Sequence, residues 1–358
     1  MSSPYCRKTI LRWKAGMNKM KITLKDIAKK ANVSPSAVSL VLNDRPCRIS
    51  KEKKDAIKRI AEEYNYSANQ IARSLVTQKS KTIGLIIPDI ENIFFSSLAK
   101  QIEEQCRKRG YMLIIVNSDN DYAHDLELLD LLLSRSVDGM FIIPSNESYK
   151  EHSELVRRLS KLDNTSTPYV MIDRVYPEQA CNKVWFDNEE GAYLAVKHLL
   201  ENGHRKIACI ANYGNDSNGK SRLEGFYRAM REYHCEVEED LVIDGDYRID
   251  SGYHAGKSLL EKDMSAVFIT NDMMALGFLK AAYEQGKQVP DDISVVSYDN
   301  TIYPYIFGVE LTSIEQDVGS LSHHAVDLLF SKMEEKEKAP EEICLIPRLI
   351  KRTSVQSH

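Results

Sequence analysis

The sequence predicts an N-terminal all-α helix-turn-helix unit followed by an α/β body of two lobes, each built on a doubly wound parallel sheet. Two observations predict this fold class. Residues 23–66 contain three short segments whose apolar residues recur every three or four positions, as in small amphipathic helices. From residue 82 onward, continuous apolar runs alternate with amphipathic segments in two successive series of similar size. Such an alternation is typical of parallel sheets with helices on both faces.

The first two helical segments are separated by only two residues. Thr23 can cap the first of them, and Ser34 can cap a second segment that runs to Asn43 and begins with a proline. Two short amphipathic helices with so tight a connection are the signature of a helix-turn-helix. A third segment, Lys51–Tyr64, follows its own cap, Ser50. A plain packing module of three helices would share the apolar pattern, but it would not require outward positions that are almost exclusively basic or small and polar.

Residues 67–81 are polar apart from a short apolar stripe formed by Ile71, Leu75 and Val76. About eight residues are too few for a stable isolated helix. We therefore expect a linker that becomes helical only against another molecule.

The body begins with four apolar runs that predict strands: TIGLIIPD, YMLIIVNSD, VDGMFIIPS and YVMIDR. The second series contributes KIACIANY, DLVIDGDY, AVFITND and ISVVSYD. The intervening patterns predict helices at Phe95–Arg109, Asp125–Arg135, Arg222–Tyr233, Tyr253–Leu260 and Met273–Glu284. We expect two lobes of similar construction with a ligand cleft between them.

A polar side chain follows most of these apolar runs. The residues in question are Asp89, Asp119, Ser145, Asp173, Asn271 and Asp299. Because the carboxyl ends of parallel strands face the binding crevice in such sheets, six of them together predict a site. Any one of them alone could be an ordinary loop residue.

Residues 214–221 match the phosphate-loop pattern G-x-x-x-x-G-K-[ST] between a predicted strand and a predicted helix. Two features argue against nucleotide hydrolysis: no convincing partner strand ends in a magnesium-binding aspartate, and Gly225 lies in the second turn of the following helix. Separately, no Ser-His-Asp order or metal-spaced histidine cluster suggests another catalytic chemistry. A weaker alternative stays open, in which Lys220 favours a phosphorylated ligand at a helix N-terminus. We expect no enzyme activity, no cofactor and no metal.

Composition narrows the class of protein. A chain of 358 residues suggests two or three domains, and no apolar run approaches the ~20 residues that span a bilayer. The basic start lacks the apolar core of a secretory signal, and seven scattered cysteines without a C-x-x-C pair argue against disulfides. These features favour a cytoplasmic protein without a membrane partner.

The net charge of −4 conceals an uneven distribution. Residues 1–81 carry 19 lysines and arginines against 6 acids, whereas the remaining residues carry 29 against 46. A basic head on an acidic body favours contact between the head and a polyanion.

In this order, the segments resemble the lactose-repressor (LacI/GalR) family of bacterial transcription factors over nearly all of Ile22–Leu349. The resemblance rests on TLKDIAKKANVSPSAVSLVLND, ARSL, SKTIGLIIPDIENIFF, SVDGMFIIPS, MIDR, FDNEEGAYLAVKHLLENGHRKIACI, SRLEGF, AVFITNDMMALG, VPDDISVVSYDN and LTSIEQD. It implies a sequence-specific transcriptional repressor of carbohydrate metabolism with periplasmic-binding-protein-like lobes. A periplasmic sugar-binding protein shares the two lobes, but it would have a signal peptide and no headpiece.

The resemblance also implies a DNA-contacting surface, with the helix Ser34–Asn43 in the major groove of an operator. The implied contact residues are Thr23, Ser34, Pro35, Ser36, Ser39, Leu40 and Asn43 in the headpiece, and Asn69, Arg73 and Leu75 in the hinge helix. Leu40 departs from the arginine or histidine frequent in the family, so the preferred half-site should differ, unless Leu40 packs against the hinge or body. Leu75 would act as a wedge in the minor groove. Ala68 replaces the family's usual proline, which could loosen the coupling through the hinge.

For the body, the resemblance implies an effector site that takes a sugar or a sugar phosphate, with purines and nucleosides as the alternative. The implied contacts are Asp89, Phe94, Asp119, Ser145, Asp173, Arg222, Tyr247, Asn271, Asp299 and Gln316. Arginine forks, carboxylates and an aromatic ring suit a polyol. Asp187 is a weaker candidate, because it could simply start a helix.

The predicted organisation has four parts: an extension 1–20, a headpiece 21–66, a hinge 67–81 and an effector-binding and dimerisation domain 82–355. In that domain one lobe comprises about 82–186 and 318–345, and the other about 187–314 and 346–355. The extension lies outside the resemblance; either translation starts at Met17 or Met20, or the basic segment is an arm for the minor groove. We expect a homodimer on a pseudo-palindromic operator, with a protein corepressor as a further possible partner.

Overall fold

A computed structural model describes residues 22–42, 45–64, 66, 79–149, 153–162, 167–214, 217–335, 337 and 339–358. The chain divides into two compact units, Met1–Ser80 and Lys81–His358. No helix within the described ranges combines the length and the apolarity needed to cross a membrane.

The first unit packs three helices around a small core. These are α1 (Leu24–Ala31), α2 (Pro35–Leu42) and α3 (Lys51–Glu63). Thr23 caps α1 by a capping box, and Asn32 ends the helix in the left-handed conformation with φ of 50°. The core side chains are Ile27, Ala28, Val38, Val41, Ile57 and Ala61. The predicted helix-turn-helix is confirmed.

The first lobe of the second unit contains a six-stranded sheet in the order β11-β5-β4-β3-β1-β2, all of whose neighbours run parallel. Its strands are β1 (Thr82–Ile87), β2 (Met112–Asn117), β3 (Gly139–Ile142), β4 (Tyr169–Ile172), β5 (Asn182–Phe186) and β11 (Glu342–Leu345). Its helices are α4 (Ile93–Lys108), α5 (Tyr122–Ser134), α6 (Ser153–Leu162) and α11 (Val318–Glu334). Apolar clusters cover both faces of this sheet.

The second lobe repeats the construction with the strand order β12-β10-β9-β8-β6-β7, in which only β12 is antiparallel to its neighbour. Its strands are β6 (Ile207–Ala211), β7 (Val242–Asp244), β8 (Ala266–Ile269), β9 (Ser294–Asp299), β10 (Thr312–Glu315) and β12 (Arg348–Ile350). Its helices are α7 (Asn188–Glu201), α8 (Ser217–Glu232), α9 (Ile249–Leu259) and α10 (Asp272–Glu284). The chain crosses between lobes after β5, after β10 and between β11 and β12, so each lobe contains strands from distant parts of the sequence.

The predicted fold class is confirmed, and all eight predicted strands are present. The predicted helices begin one to five residues later than the observed ones; α8, for example, starts at Ser217 rather than Arg222. Sequence periodicity missed the caps, because polar cap residues interrupt an apolar pattern. Asn92 caps α4 by accepting a hydrogen bond from the Phe94 amide, and Asp121 caps α5 by accepting one from the His124 amide.

Candidate ligand cleft

A cleft between the two lobes of the second unit encloses about 280 Å³, including its open mouth. Both lobes contribute to its walls. The lining residues are Asn92, Phe94, Phe95, Asp173 and Arg174 from the first lobe, and Asn218, Arg222, Tyr247, Asn271, Asp299 and Gln316 from the second. Aromatic rings and a few convergent polar groups are the usual composition of a small-molecule site.

Strand ends position three of these residues. Asp173 directly follows β4, Asn271 lies just beyond β8, and Asp299 ends β9. The backbones of Asp173 and Asp299 adopt positive φ values of 63° and 94°, so the chain turns sharply where each strand reaches the cleft. The rule that strand carboxyl ends face the crevice thus identified three side chains that the fold brings together.

Arg222 projects from α8 into the base of the cleft and is 4% exposed. Its Nε donates to Asn188 Oδ1 at 2.7 Å, and its Nη1 donates to the Thr270 carbonyl oxygen. Nη1 also lies 3.7 Å from Asp299 Oδ1, and the guanidinium sits 3.8 Å from the centre of the Tyr298 ring. Burial alone would lower the pKa of Arg222, but the surrounding tyrosines and aspartates raise it overall. The cleft therefore contains a permanent, well-fixed cation.

Asp299 forms the anionic counterpart, with a second buried carboxylate behind it. Gln316 Nε2 donates to Asp299 Oδ1 at 2.7 Å. Behind this pair, Asp272 Oδ1 accepts from Ser297 Oγ at 2.6 Å, and Oδ2 accepts from the Thr301 amide and hydroxyl and from a further amide. Burial raises the pKa of both aspartates, while Arg222 opposes the rise at Asp299. The two carboxylates therefore bind a proton more readily than isolated ones.

Arg174 is a buried cleft residue that the sequence analysis missed. Its Nη1 donates to Asn120 Oδ1 at 2.9 Å and to the Pro144 carbonyl oxygen at 3.1 Å, and its guanidinium lies 5.2 Å from the centre of the Phe95 ring. The position directly after Asp173 at a strand end was a signal that could have identified it. Also missed were Asn92, Phe95 and Asn218.

The cleft wall includes seven of the ten predicted effector contacts: Phe94, Asp173, Arg222, Tyr247, Asn271, Asp299 and Gln316. The other three lie elsewhere. Asp89 caps its own loop by accepting from the Glu91 amide at 2.9 Å. The Ser145 side chain is fully buried, and its amide donates to Asp125 Oδ2 at 2.8 Å. After β1 the chain reaches the cleft at Asn92 and the first turn of α4. Phe94 and Phe95 therefore line the wall where Asp89 was expected.

Asp119, the third of these residues, lies at the mouth instead of the wall. Its Oδ1 is 3.6 Å from Arg248 Nη2 of the opposite lobe. Asp187, the weaker candidate, caps α7 by accepting from the Glu190 amide at 3.0 Å. A helix start is therefore its observed structural role.

At the start of the segment that matches the phosphate-loop pattern, two neighbouring backbone amides bind a protein carboxylate. The Tyr213 and Gly214 amides donate to Asp244 Oδ1 at 3.0 and 3.3 Å. A Cβ atom on Gly219 would lie 1.6 Å from the Asn212 carbonyl oxygen, and Lys220 is exposed. These amides would have to give up Asp244 to bind a phosphate. Among the described residues, no group of three or more His, Cys, Asp or Glu side chains could hold a metal ion.

In the first unit, the predicted DNA-contacting residues fall into three groups. Thr23 and Ser34 accept hydrogen bonds from the amides of Asp26 and Ala37, and so serve as helix caps. Pro35 and Ser36 are exposed on α2, and Ser39 and Leu40 are partly buried there. Outside the described residues lie Asn43, Asn69, Arg73 and Leu75.

Comparisons with known proteins agree with this arrangement. The family model described as "Bacterial regulatory proteins, lacI family" matches residues 23–69, and "Periplasmic binding protein-like domain" matches 196–355. The HTH-type transcriptional repressor PurR of Vibrio campbellii is 32% identical over 336 residues, covering 93% of this chain and 98% of the relative.

Two solved structures extend the similarity. The lac repressor dimer bound to operator and the anti-inducer ONPF superposes with a TM-score of 0.80 at 25% identity, over 94% of this chain and all of that one. A LacI family regulator from Enterococcus faecium with bound ribose gives 0.68 at 32% identity, over 77% of this chain and 99% of that one. The resemblance read from the sequence is confirmed, and this chain belongs to the lacI family of bacterial regulatory proteins.

Proposed function

We propose that this transcriptional regulator is a repressor of carbohydrate metabolism genes whose binding to an operator is controlled by a sugar or sugar phosphate held in the cleft. The observation that carries the proposal is the pairing, in one chain, of a helix-turn-helix unit with a polar cleft lined from two lobes. Family membership supports the regulatory role, and a ribose-bound relative supports the ligand class.

The chemistry of the cleft favours a polyhydroxylated ligand. Arg174 and Arg222 offer donors, Asp173 and Asp299 offer acceptors, and Tyr247 offers a ring face. Sugar hydroxyls both donate and accept, and a C–H face of a sugar stacks on an aromatic ring. The lining places two guanidinium groups beside two carboxyl groups, so a neutral ligand adds no further charge to a buried site. This balance favours a sugar over its phosphate; a purine or nucleoside is the alternative.

Calorimetry with purified protein would test the ligand class. We expect a neutral pentose or hexose such as D-ribose to bind, and its phosphate ester to bind at least tenfold more weakly. Tighter binding of the phosphate ester would contradict the preference for a neutral sugar, and binding of purines alone would contradict the proposed ligand class. Operator selection with and without the bound compound would then show whether the ligand releases DNA or promotes binding.

The DNA-binding role is assigned to the headpiece 21–66 and the hinge 67–81. Ser36 on α2 would contact bases or phosphates, and Leu75 would wedge the minor groove at the operator centre. Steep loss of operator affinity with rising salt would support phosphate contacts by the basic first unit. The body 82–355 is proposed to sense the effector and to hold two copies of the chain together.

A homodimer is supported by large apolar side chains left exposed on both lobes. Met112 on the edge strand β2 is 60% exposed, Tyr283 on α10 is 85% exposed, and Phe307 is 94% exposed. We propose that these side chains lie in the contact between the two copies, where aromatic residues and methionine are enriched. Sedimentation analysis should give twice the mass of the chain, and replacement of Tyr283 and Phe307 by serine should favour the monomer.

Three further proposals concern catalytic activity, location and a protein partner. We propose that the protein has no catalytic activity, that it acts in the cytoplasm, and that a protein corepressor could add to or replace the small effector. Pull-down with the sugar-bound and sugar-free forms would test the corepressor. A protein recovered equally with both forms would contradict an effector-dependent partner.

A further inference from the structure

We propose that Asp119 and Arg248 form an interlobe clasp that biases the two lobes toward the closed arrangement. Asp119 belongs to the first lobe and Arg248 to the second, and their charged atoms, Oδ1 and Nη2, are 3.6 Å apart. This ion pair joins the two lobes across the mouth of the cleft, so it forms only when the lobes are close together. It lies outside the set of residues that line the site itself.

The Asp119 side of the clasp is held by a rigid turn. Asp119 and Asn120 both adopt left-handed backbones, with φ of 55° and 56°. The Asn120 amide donates to the Pro88 carbonyl oxygen at 2.8 Å, while Asn120 Oδ1 accepts from Arg174 Nη1 at 2.9 Å. The next residue caps α5. Because the turn is fixed before the lobes meet, closing onto Asp119 costs little additional entropy.

The Arg248 side leads directly to the cleft wall. Arg248 precedes the first residue of α9, its amide donates to Asp246 Oδ1 at 2.9 Å, and its carbonyl oxygen accepts from Ser251 Oγ at 3.0 Å. The preceding residue, Tyr247, has φ of 67°, and its carbonyl oxygen accepts from Asn271 Nδ2 at 3.2 Å. Arg248 is therefore adjacent in the chain to Tyr247, whose ring lines the cleft.

Exposure sets the size of the effect. The Asp119 and Arg248 side chains are 68% and 58% exposed, so water and salt screen their attraction. The lobes also meet through Ile93, which packs against the core of the second lobe, and through Asn218, whose Nδ2 lies 3.5 Å from the Asp173 carbonyl oxygen. The clasp thus shifts an existing equilibrium between open and closed lobes, by roughly two- to fivefold.

Distances between spin labels on the two lobes would test the clasp in the full-length protein. Glu127 on α5 and Ser258 on α9 are exposed positions on the helices that begin beside Asp119 and Arg248. Labels placed there through p-acetylphenylalanine leave the native cysteines intact, and dilution with unlabelled chain isolates distances within one chain. The measurement needs no effector, so its outcome is independent of the proposed ligand.

We expect Asp119→Asn, which keeps a residue tolerant of the left-handed backbone, to lower the closed-to-open ratio by two- to fivefold. Arg248→Glu should lower the ratio further, because it places two carboxylates across the mouth. Adding Asp119→Asn to Arg248→Glu should then restore part of the closed population. Salt at 0.5 M should reduce the difference between wild type and Asp119→Asn.

Asp250→Asn is the matched control. Asp250 is exposed in the first turn of α9, so its replacement removes the same charge from the same region without touching the clasp. An unchanged distance distribution in Arg248→Glu would overturn the clasp. So would additive effects in the double variant, or an Asp250→Asn effect as large as that of Asp119→Asn. Circular dichroism of each variant identifies any that fails to fold, and Arg248→Gln then replaces Arg248→Glu in the cycle.

Discussion

Replacing Arg222 by methionine should destabilise the body far more than any other loss of a single arginine charge on α8. The side chain is 4% exposed and donates hydrogen bonds to Asn188 Oδ1 and to the Thr270 carbonyl oxygen. It also forms an ion pair with the carboxylate of Asp299, at 3.7 Å. Methionine fills a similar volume but removes the hydrogen bonds to Asn188 Oδ1 and to the Thr270 carbonyl oxygen. The variant also leaves Asp299 as a buried anion without its cation.

The expected magnitude follows from burial. Removing one partner of a buried ion pair costs about 3–5 kcal/mol, because the remaining charge is left uncompensated. A folded domain is stable by only about 5–15 kcal/mol, so the loss is large. Arg228 on the same helix is the matched control: it pairs with Glu189 and Glu190, but its side chain is 35% exposed. Arg228→Met should therefore cost no more than about 1 kcal/mol.

Urea unfolding followed by circular dichroism at pH 7 would measure both costs. The double variant Arg222→Met, Asp299→Asn should recover part of the stability, since the carboxylate that had been paired with Arg222 is then also removed. Without Arg222, the pKa of Asp299 should rise further, so acidification should also recover stability in the single variant. Equal losses for Arg222→Met and Arg228→Met would refute the argument from burial, and so would a double variant less stable than Arg222→Met.

Three other predictions concern the hinge, the second lobe, and the first turn of α8 against the loop that precedes it. Leu75→Ala should weaken operator binding by roughly tenfold or more in a mobility-shift assay, because the side chain acts as a wedge in DNA. Effector binding measured by calorimetry should be unchanged. Unchanged operator affinity would contradict the proposed role of Leu75. Burial lowers the pKa of His204, so the contribution of this histidine to stability should be lost as the pH drops below about 6.5, where the unfolded chain takes up a proton that the folded chain resists. His204→Gln should flatten the dependence of the melting temperature on pH between 5 and 7. The same slope in wild type and variant would show that other groups cause the pH dependence. Gly219→Ala should lower the melting temperature by several degrees, because its Cβ would lie 1.6 Å from the Asn212 carbonyl oxygen, and an unchanged melting temperature would show that the loop adapts.

Strands that are continuous apolar runs could be predicted from the sequence. Strands whose polar side chains are buried only through contacts with distant residues could not. β5 begins with Asn182 and Lys183, which no strand pattern favours. Lys183 is nonetheless 1% exposed, because its Nζ donates to the Pro177 carbonyl oxygen and to Glu342 Oε1 of the neighbouring strand β11, both at 3.0 Å. Glu342 is 159 residues away in the chain, so only the folded arrangement reveals it as a partner. The short strands β10 and β12 were missed for the same reason.

The site residues that could be predicted are those placed by the order and direction of the strands. Strand ends led to Asp173, Asn271 and Asp299, because every parallel strand in a lobe points its carboxyl end the same way. The same rule also selected Asp119, which the structure places outside the cleft lining, because the rule does not say which strand-end side chains reach the wall. Arg174 was overlooked because an arginine beyond a strand resembles a solvated charge, whereas here Asn120, Pro144 and the Phe95 ring hold it inside.

A ligand can shift the equilibrium between lobe arrangements only if it contacts groups whose relative position changes. Arg174 is anchored in the first lobe, and Arg222 is tied to α7 and to the end of β8 in the second. A polyol long enough to reach both guanidinium groups joins the lobes at the base of the cleft, while Asp119 and Arg248 join them at the mouth. The two contacts should therefore favour the same closed state, and weakening the mouth contact should lower effector affinity by the same factor by which it lowers the closed population.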